Sequence, residues 1–188
     1  MTENPGSAEE DSAVNGLLLL IDPTWVRTEE APEPPVGSVL GAWPVTAAGG
    51  RGRFQANPIY QPATADSPLD PVDAVLRLLA RNATGADELR SVLRDVMLAV
   101  ALDDRGVALV QPAPDGVPSV LVTTAPGHRK RLDVPGWQDM TVEQLAAALP
   151  AQGVDVLLNP GAPASMRVLA AVIRSTADGT DEEQTWAE

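Results

Sequence analysis

Apolar and polar positions repeat with helical spacing in two neighbouring segments of the chain. Between Asp70 and Gly85, and again over residues 86–96, apolar residues recur every three or four positions, which is typical of helices with one buried face. Asp70 fits the N-cap of the first helix, Pro71 its first position and Asp73 its third position. The segments therefore predict two amphipathic helices, the first of them capped by Asp70 and Asp73.

Short apolar runs bounded by proline, glycine or aspartate predict strands around these helices. The first run, "GLLLLI", fits a buried strand that ends before Asp22 and Pro23. The predicted strands, in chain order, are 16–21, 38–45, 50–55, 96–102, 107–111, 119–125 and 154–158. We expect the second and third to form one hairpin, and the fourth and fifth another.

Two further helices are predicted in the second half of the chain. Thr141 and Gln144 have the spacing of a capping box, so a helix should begin there and end at Pro150. The apolar segment 165–175 fits a last helix. Strands mixed with helices predict an α+β fold, a single domain in which about three to four helices pack on a mixed, largely antiparallel sheet.

The two ends of the chain differ in composition from its middle. Residues 1–13 and 177–188 contain nine of the 26 acidic residues and no lysine or arginine, and they offer few apolar groups to bury. We therefore predict two disordered acidic tails, 1–13 and 177–188, on either side of an α+β domain that spans residues 14–176.

Charge and residue usage narrow the classes of function. The net charge is −13, whereas a nucleic-acid partner requires a basic surface. The absence of cysteine excludes thiolate catalysis, disulfides and cysteine-bound metals. The run 16–21 is much shorter than the roughly 20 apolar residues of a membrane span, and no basic leader precedes it. We expect a cytoplasmic protein with no nucleic-acid partner and no membrane insertion.

The polar residues form no recognisable catalytic, cofactor-binding or metal-binding set. His128, the single histidine, lies in the basic run "HRKR" without an evident partner, so we expect it on the surface. Asp103 and Asp104 fit a turn, and the pair Thr123 and Thr124 lacks the glycine elbow of a nucleophile. We predict no enzymatic activity, no catalytic or metal-binding residues and no cofactor.

The tripeptide Asn159, Pro160 and Gly161 is one candidate binding site. Proline ends a strand ladder and glycine allows a positive φ, so these residues fit the exit turn of strand 154–158. The same loop is also the candidate ligand loop of this sequence, with Thr123, Thr124 and His128 expected nearby.

The aromatic residues of the proline-rich N-terminal part are a second candidate site. Trp25, Trp43 and Tyr60 fall in segments expected to be loops or strand ends, where rigid aromatic side chains often anchor protein interfaces. Packing in the core is the alternative for the two tryptophans.

Several motifs, taken in their order along the chain, resemble known proteins. "SVLVTTAPGH", a threonine-capped helix and "GVDVLLNPGAPASMRV" resemble the SseB-like N-terminal domain family. Upstream, "LLLIDPTW", "LGAWPV", "NPIYQPA" and "SPLDPVDAVLRL" resemble actinobacterial proteins associated with type VII secretion, which share this domain. The resemblance runs from about Leu17 to Ile173. Ala125 departs from it, because serine or threonine is common before the proline there, which weakens any role for a hydroxyl group.

The resemblance implies a non-enzymatic accessory protein of type VII secretion, an adaptor or chaperone-like module that binds secretion components or their substrates. It also makes Asn159, Pro160 and Gly161 a signature of the fold. The Trp-X-Gly and Tyr-X-X-X-Asp/Glu motifs of exported substrates are absent at Trp43 and Tyr60, which favours an accessory protein. The alternative is a small-ligand-binding or enzymatic domain that uses the loop 159–161.

Overall fold

The structure is a computed structural model, and it describes residues 14–47 and 49–179. The described residues fall into two compact units, residues 14–47 with 49–70 (unit 1) and residues 71–179 (unit 2). The predicted tails, 1–13 and 177–188, lie largely outside the described residues, although a helix continues through Ala177 and Asp178. The predicted extent of the domain, residues 14–176, stays a prediction.

Unit 1 contains a three-stranded antiparallel sheet. Its strands, in spatial order, are β1 (Val14–Ile21), β2 (Val39–Thr46) and β3 (Gln55–Ala56). Leu17 of β1 lies opposite Pro44 of β2, and Leu18 lies opposite Trp43. The predicted hairpin of the second and third strands is confirmed, although β3 is short and the backbone of Arg51 pairs with β2 at an isolated bridge.

Aromatic packing against β2 forms a small core in unit 1. A Cβ atom on Gly41 would lie 2.3 Å from the carbonyl oxygen of Gln55 and 2.4 Å from the Phe54 ring, so this position requires glycine. The Phe54 ring packs on Trp43 with 4.9 Å between ring centroids. The guanidinium of Arg51 lies 4.9 Å from the centre of the Trp43 ring. Trp43 is consequently only 6% exposed.

Within its described part, residues 71–179, unit 2 combines five helices with six strands. The helices are α1 (Pro71–Ala80), α2 (Ala86–Asp95), α3 (Pro126–Arg129), α4 (Val142–Ala148) and α5 (Ala170–Asp178). The strands are β4 (Leu98–Leu102), β5 (Val110–Pro112), β6 (Pro118–Thr123), β7 (Gly136–Met140), β8 (Asp155–Leu158) and β9 (Met166–Val168). The predicted α+β class is confirmed.

The six strands of unit 2 form one sheet with the order β7-β4-β6-β8-β9. Strands β4 and β5 share one edge of β6, where Val100 lies opposite Val122 and Val110 lies opposite Val120. Strands β6 and β8 run parallel, with Val122 opposite Leu158, and the other named pairs are antiparallel. The sheet is therefore mixed and largely antiparallel, as predicted.

Two predicted elements of unit 2 differ from the structure. The turn between β4 and β5 is present, because the Asp103 carboxylate accepts the N–H groups of Arg105 and Val107. However, β5 pairs with β6, and the two arms of the predicted hairpin meet at one bridge, Leu102 to Ala108. The predicted helix 165–175 begins instead as strand β9, which pairs with β8, and helix α5 follows it.

The capping signals lie where the sequence predicts them. Helix α1 begins at Pro71, directly after Asp70. The Thr141 hydroxyl accepts the N–H of Gln144 at 3.3 Å, and the Gln144 side chain accepts the N–H of Thr141 at 2.9 Å, which completes a capping box before α4. Val72 of α1 is fully buried, as its helical spacing predicts.

Buried apolar side chains lie on both faces of the central strands of unit 2. Val100, Val122 and Leu158 are in register on neighbouring strands, and each is at most 2% exposed. Leu121 and Leu157 point to the opposite face, since side chains alternate along a strand. There they pack with Ala101, Ala113, Leu109, Leu132, Val134 and Trp137. This burial fixes the carboxyl ends of β6 and β8, and the loop 159–161 begins at the end of β8.

Candidate functional site

Three consecutive leucines on β1 are exposed. The exposed fractions are 62% for Leu17, 49% for Leu18 and 45% for Leu19. Strand β1 forms where the sequence predicts it, but the prediction that it is buried is wrong. An uninterrupted apolar run indicates a strand without indicating whether another layer covers it. Single exposed leucines are common on protein surfaces, whereas three in succession mark this strand as a candidate binding surface.

A groove of about 540 Å³ lies on one face of the unit 1 sheet. Because side chains alternate, Leu17 and Leu19 share this face and Leu18 points to the other. The groove is further lined by Pro34, Val36, Val39, Gly41, Ala42, Gln55, Ala56 and Asn57, and Glu33 contributes a carboxylate. We call Leu17, Leu19 and this groove the β1 face.

The aromatic residues predicted as interface anchors have different surroundings. Trp43 has those of a core residue, since it is buried against Phe54. Trp25 is half-buried, and its backbone N–H donates to the carbonyl of Asp22 at 3.0 Å in a turn. Tyr60 is also half-buried. The packing of Trp43 supports the core alternative, and an interface role for Trp25 and Tyr60 stays a prediction.

The hydroxyl of Tyr60 belongs to a hydrogen-bond network around Asp22. Asp22 is 2% exposed, and one carboxylate oxygen accepts the N–H of Thr24 at 2.9 Å and its hydroxyl at 2.7 Å. The other oxygen lies 2.8 Å from the Tyr60 hydroxyl, which is equally close to the carbonyl of Pro68. Burial alone would raise the pKa of Asp22, but hydrogen bonds from Thr24, Ser67 and Tyr60 outweigh it and lower the pKa from 3.8 to about 2.

We expect the Asp22 network to stabilise the protein above pH 4 and to be lost in acid. Because the folded pKa lies below the unfolded one, its contribution is complete above about pH 4 and disappears as the pH falls towards 2. With allowance for solvent screening, the loss amounts to about 1–2 kcal/mol. Urea unfolding of the wild type and of Asp22→Asn, followed by tryptophan fluorescence between pH 5 and pH 2, measures it.

The prediction concerns the difference between the two proteins, since other carboxylates titrate in the same range. The Asp22→Asn variant should lose less stability on acidification than the wild type. Asp104→Asn, which changes an exposed turn residue, should behave like the wild type and is the matched control. Equal acid sensitivity in all three proteins would show that Asp22 contributes nothing specific.

Asn159 joins the ends of the two parallel strands in unit 2. It is completely buried, and its side-chain oxygen accepts the N–H of Thr124 at 2.9 Å and the Thr124 hydroxyl at 3.1 Å. Its backbone N–H donates to the carbonyl of Val122 at 2.7 Å. The residue adopts a φ of +49°, which asparagine tolerates better than most residues. These contacts indicate that the Asn159 side chain stabilises the turn at the end of β8.

The two residues after Asn159 continue the turn. Pro160 is buried, whereas Gly161 is exposed and has a φ of +72°. The guanidinium of Arg131 donates to the carbonyl of Gly161 at 3.4 Å. The geometry is that of the predicted strand-exit turn. A ligand-binding role for Asn159, Pro160 and Gly161 stays a prediction.

A buried polar cluster in unit 2 brings together residues that the sequence places apart. Asp73 is fully buried and His128 is 1% exposed. A carboxylate oxygen of Asp73 lies 3.3 Å from Nε of Arg77 and 3.6 Å from Nε2 of His128. The expectation of a surface histidine is wrong, because the single turn of α3 directs His128 inward and leaves the neighbouring Lys130 exposed. Asp73 was predicted only as a capping residue, and in the structure its carboxylate also pairs with Arg77 and lies beside His128.

Burial lowers the pKa of His128 below its usual 6.5, because an imidazolium loses hydration inside the protein. The carboxylate of Asp73 opposes this effect, whereas the nearby charges of Arg131 and Arg77 add to it. His128 is therefore neutral at pH 7. The charge of Asp73 is balanced by Arg77, and His128 fills the space beside this ion pair without adding a charge.

Within residues 14–47 and 49–179, no helix is long and apolar enough to cross a bilayer. The same part of the chain contains no group of three or more His, Asp or Glu side chains arranged to hold a metal ion. No protein-family model, curated protein or solved structure matches the chain.

Proposed function

We propose that this chain is a non-enzymatic protein-binding module that docks a partner through the β1 face. The observation that carries the proposal is the run of exposed leucines, Leu17 to Leu19, beside a groove of about 540 Å³. Because each of these leucines is about half-exposed, covering one contributes about 1–2 kcal/mol of gross binding free energy. Contacts with this run are thus large enough to anchor a complex before the costs of association are subtracted.

The resemblance to proteins associated with type VII secretion motivates the choice of partner. Two of its motifs, "LLLIDPTW" and "NPIYQPA", belong to unit 1, and the Tyr60 hydroxyl connects them through the Asp22 carboxylate. The first motif, residues 18–25, includes two of the three exposed leucines, Leu18 and Leu19. We therefore propose that the module works in the cytoplasm as an adaptor or chaperone-like factor for secretion components or their substrates.

Replacement of two leucines on the β1 face tests this proposal. Leu17→Thr with Leu19→Thr keeps residues that favour strands but removes the apolar surface. The tagged full-length protein and this variant are crosslinked in the native cell, purified and compared by quantitative mass spectrometry. We expect type VII secretion components or substrates to be enriched with the wild type and to fall at least about tenfold with the variant, since two leucine contacts are lost.

A matched variant controls for the loss of exposed apolar residues in general. Val110→Thr with Leu169→Thr changes two residues of unit 2 that are 45% and 50% exposed, and it should retain the partner. Circular dichroism should show all three proteins folded, because the replaced side chains are exposed. Equal recovery of the partner by both variants would reject the β1 face as the docking site. No enrichment of secretion proteins with the wild type would reject the proposed partner class.

A further inference from the structure

We propose that the outer edge of β1 binds an extended, basic segment of the partner by strand addition. The inference rests on the proposed function and specifies how the partner docks and what its chemistry is. An added strand would form main-chain hydrogen bonds with β1 and would place alternate side chains on the two faces of the unit 1 sheet.

The backbone of β1 is available for a new strand. Among the described residues, β1 pairs with β2 on one side and with no other strand. It pairs regularly with β2 from Gly16 to Leu20, between two register shifts. Its outward N–H and C=O groups over this stretch form a template of five residues, enough for a short peptide strand.

The sequence of β1 lacks the charged residues and prolines with which many proteins protect a sheet edge. Residues 14–21 contain no charged residue and no proline. The edges of the unit 2 sheet differ: β7 contains Asp139, and the three-residue β9 contains Arg167, which forms ion pairs with Asp115 and Asp155. Of the two sheets, only that of unit 1 has a long edge strand that is entirely uncharged.

The side chains on both faces suit an added strand with apolar residues. Leu17 and Leu19 lie on the face with the groove, and Leu18 lies on the other, all at least 45% exposed. Neighbouring side chains across a strand pair approach within about 4.5–5.5 Å, so a partner strand would cover both sets at once. An extended segment whose apolar residues alternate with long cationic side chains fits this arrangement, because the apolar stems of those side chains can cover one face while the charges reach solvent.

Charge selects a basic partner over a second copy of this chain. Residues 1–70 contain ten acidic and three basic residues, and Glu33 lies within the groove. Two copies that meet at β1 would bring together two chains that each carry a net charge of −13. Like charges oppose this association, whereas lysine and arginine on an incoming strand are attracted.

Synthetic peptides test the inference on the full-length protein. The first is a ten-residue peptide in which valine and lysine alternate; the second has glutamate in place of lysine; the third repeats the first with N-methylated amides along one edge. We expect the lysine peptide to bind at least tenfold more tightly than the glutamate peptide at low salt and to weaken as salt is added. Hydrogen exchange should slow at β1 amides, and N-methylation should abolish binding.

A charged substitution in β1 tests whether the peptide binds at this edge. Leu18→Lys places a charge on the edge, as natural edge strands do, and should lower peptide affinity at least tenfold, whereas Val110→Lys in unit 2 should not. A fold check by circular dichroism accompanies both, and Leu18→Thr is the milder second variant. Equal binding of the N-methylated peptide, equal binding of the lysine and glutamate peptides, or dimerisation through β1 in sedimentation equilibrium would each overturn the inference.

The two proposals fail in distinguishable ways. If Leu17→Thr with Leu19→Thr loses the cellular partner but β1 amides gain no protection from the lysine peptide, the β1 face docks proteins through side chains and strand addition is wrong. If the native cell yields no secretion protein while the peptide results hold, the edge is confirmed and the proposed partner class is wrong.

Discussion

Replacing Asp73 with alanine is expected to lower the free energy of unfolding by about 3–5 kcal/mol, one of the two largest effects we predict for a single side chain. The carboxylate is fully buried and balances Arg77, whose side chain is 12% exposed. Its removal takes the Asp73 charge away from that guanidinium and leaves a cavity beside His128, whose imidazole lies 3.6 Å away. Urea unfolding followed by circular dichroism at pH 7 measures the change.

Asp87 provides a matched control for Asp73. It also lies in the first turn of a helix and pairs with an arginine, Arg90, at 3.3 Å, but its side chain is 86% exposed. Asp87→Ala should therefore cost no more than about 0.5 kcal/mol, as for other surface ion pairs. If Asp73→Ala were as mild as Asp87→Ala, the buried cluster would not stabilise unit 2.

The second large effect is expected for Asn159→Ala, at about 2–4 kcal/mol. The substitution removes the acceptor for the N–H of Thr124, which lies 2.9 Å from the Asn159 oxygen, and the bonds with the Thr124 hydroxyl. An unpaired buried amide costs roughly 1–3 kcal/mol. Alanine would also have to adopt a φ of +49°, which adds about 1 kcal/mol. The same urea unfolding experiment applies.

Two variants separate these contributions. Asn159→Gly removes the hydrogen bonds but relieves the backbone, so it should be less destabilising than Asn159→Ala by about 1 kcal/mol. Asn82→Ala tests the backbone effect by itself at an exposed residue with a φ of +53°, and should cost about 1 kcal/mol. An Asn159→Ala variant no less stable than Asn82→Ala would show that the bonds to Thr124 contribute nothing.

Sequence signals that act over a few residues predicted their structures well. The start of α1 at Pro71 and the capping box of Thr141 and Gln144 depend on hydrogen bonds and backbone angles within one helical turn. The turn around Asp103 is of the same kind. Such features are encoded locally, so reasoning from neighbouring residues is sufficient to place them.

The burial of His128 was not predictable in this way. Its buried neighbour Asp73 lies far away in the chain, and the surrounding run "HRKR" has the composition of a surface loop. The turn of α3 that directs His128 inward contains four residues and has no strong helical pattern. Burial at such a position depends on which segments meet in space, and the local pattern carries no signal for that.

The exposure of the β1 leucines was also not predictable from neighbouring residues. An apolar run at 16–21 predicted a strand, and β1 is there, but the described residues leave three of its leucines exposed on the faces of the sheet. The lack of charge and proline in this run was visible in the sequence. Those absences become informative only once the strand is known to lie at an edge.

The single parallel pair of the unit 2 sheet has a consequence for the order of folding. Strands β8 and β9 are joined by a short turn, whereas residues 124–154 separate β6 from β8. Closing the longer connection costs roughly 1 kcal/mol more in chain entropy, so the β8–β9 hairpin should form first and dock onto β6 later. The bonds between Thr124 and Asn159 link the carboxyl ends of these two parallel strands. Formed late, they should act mainly by slowing unfolding, with little effect on the folding rate.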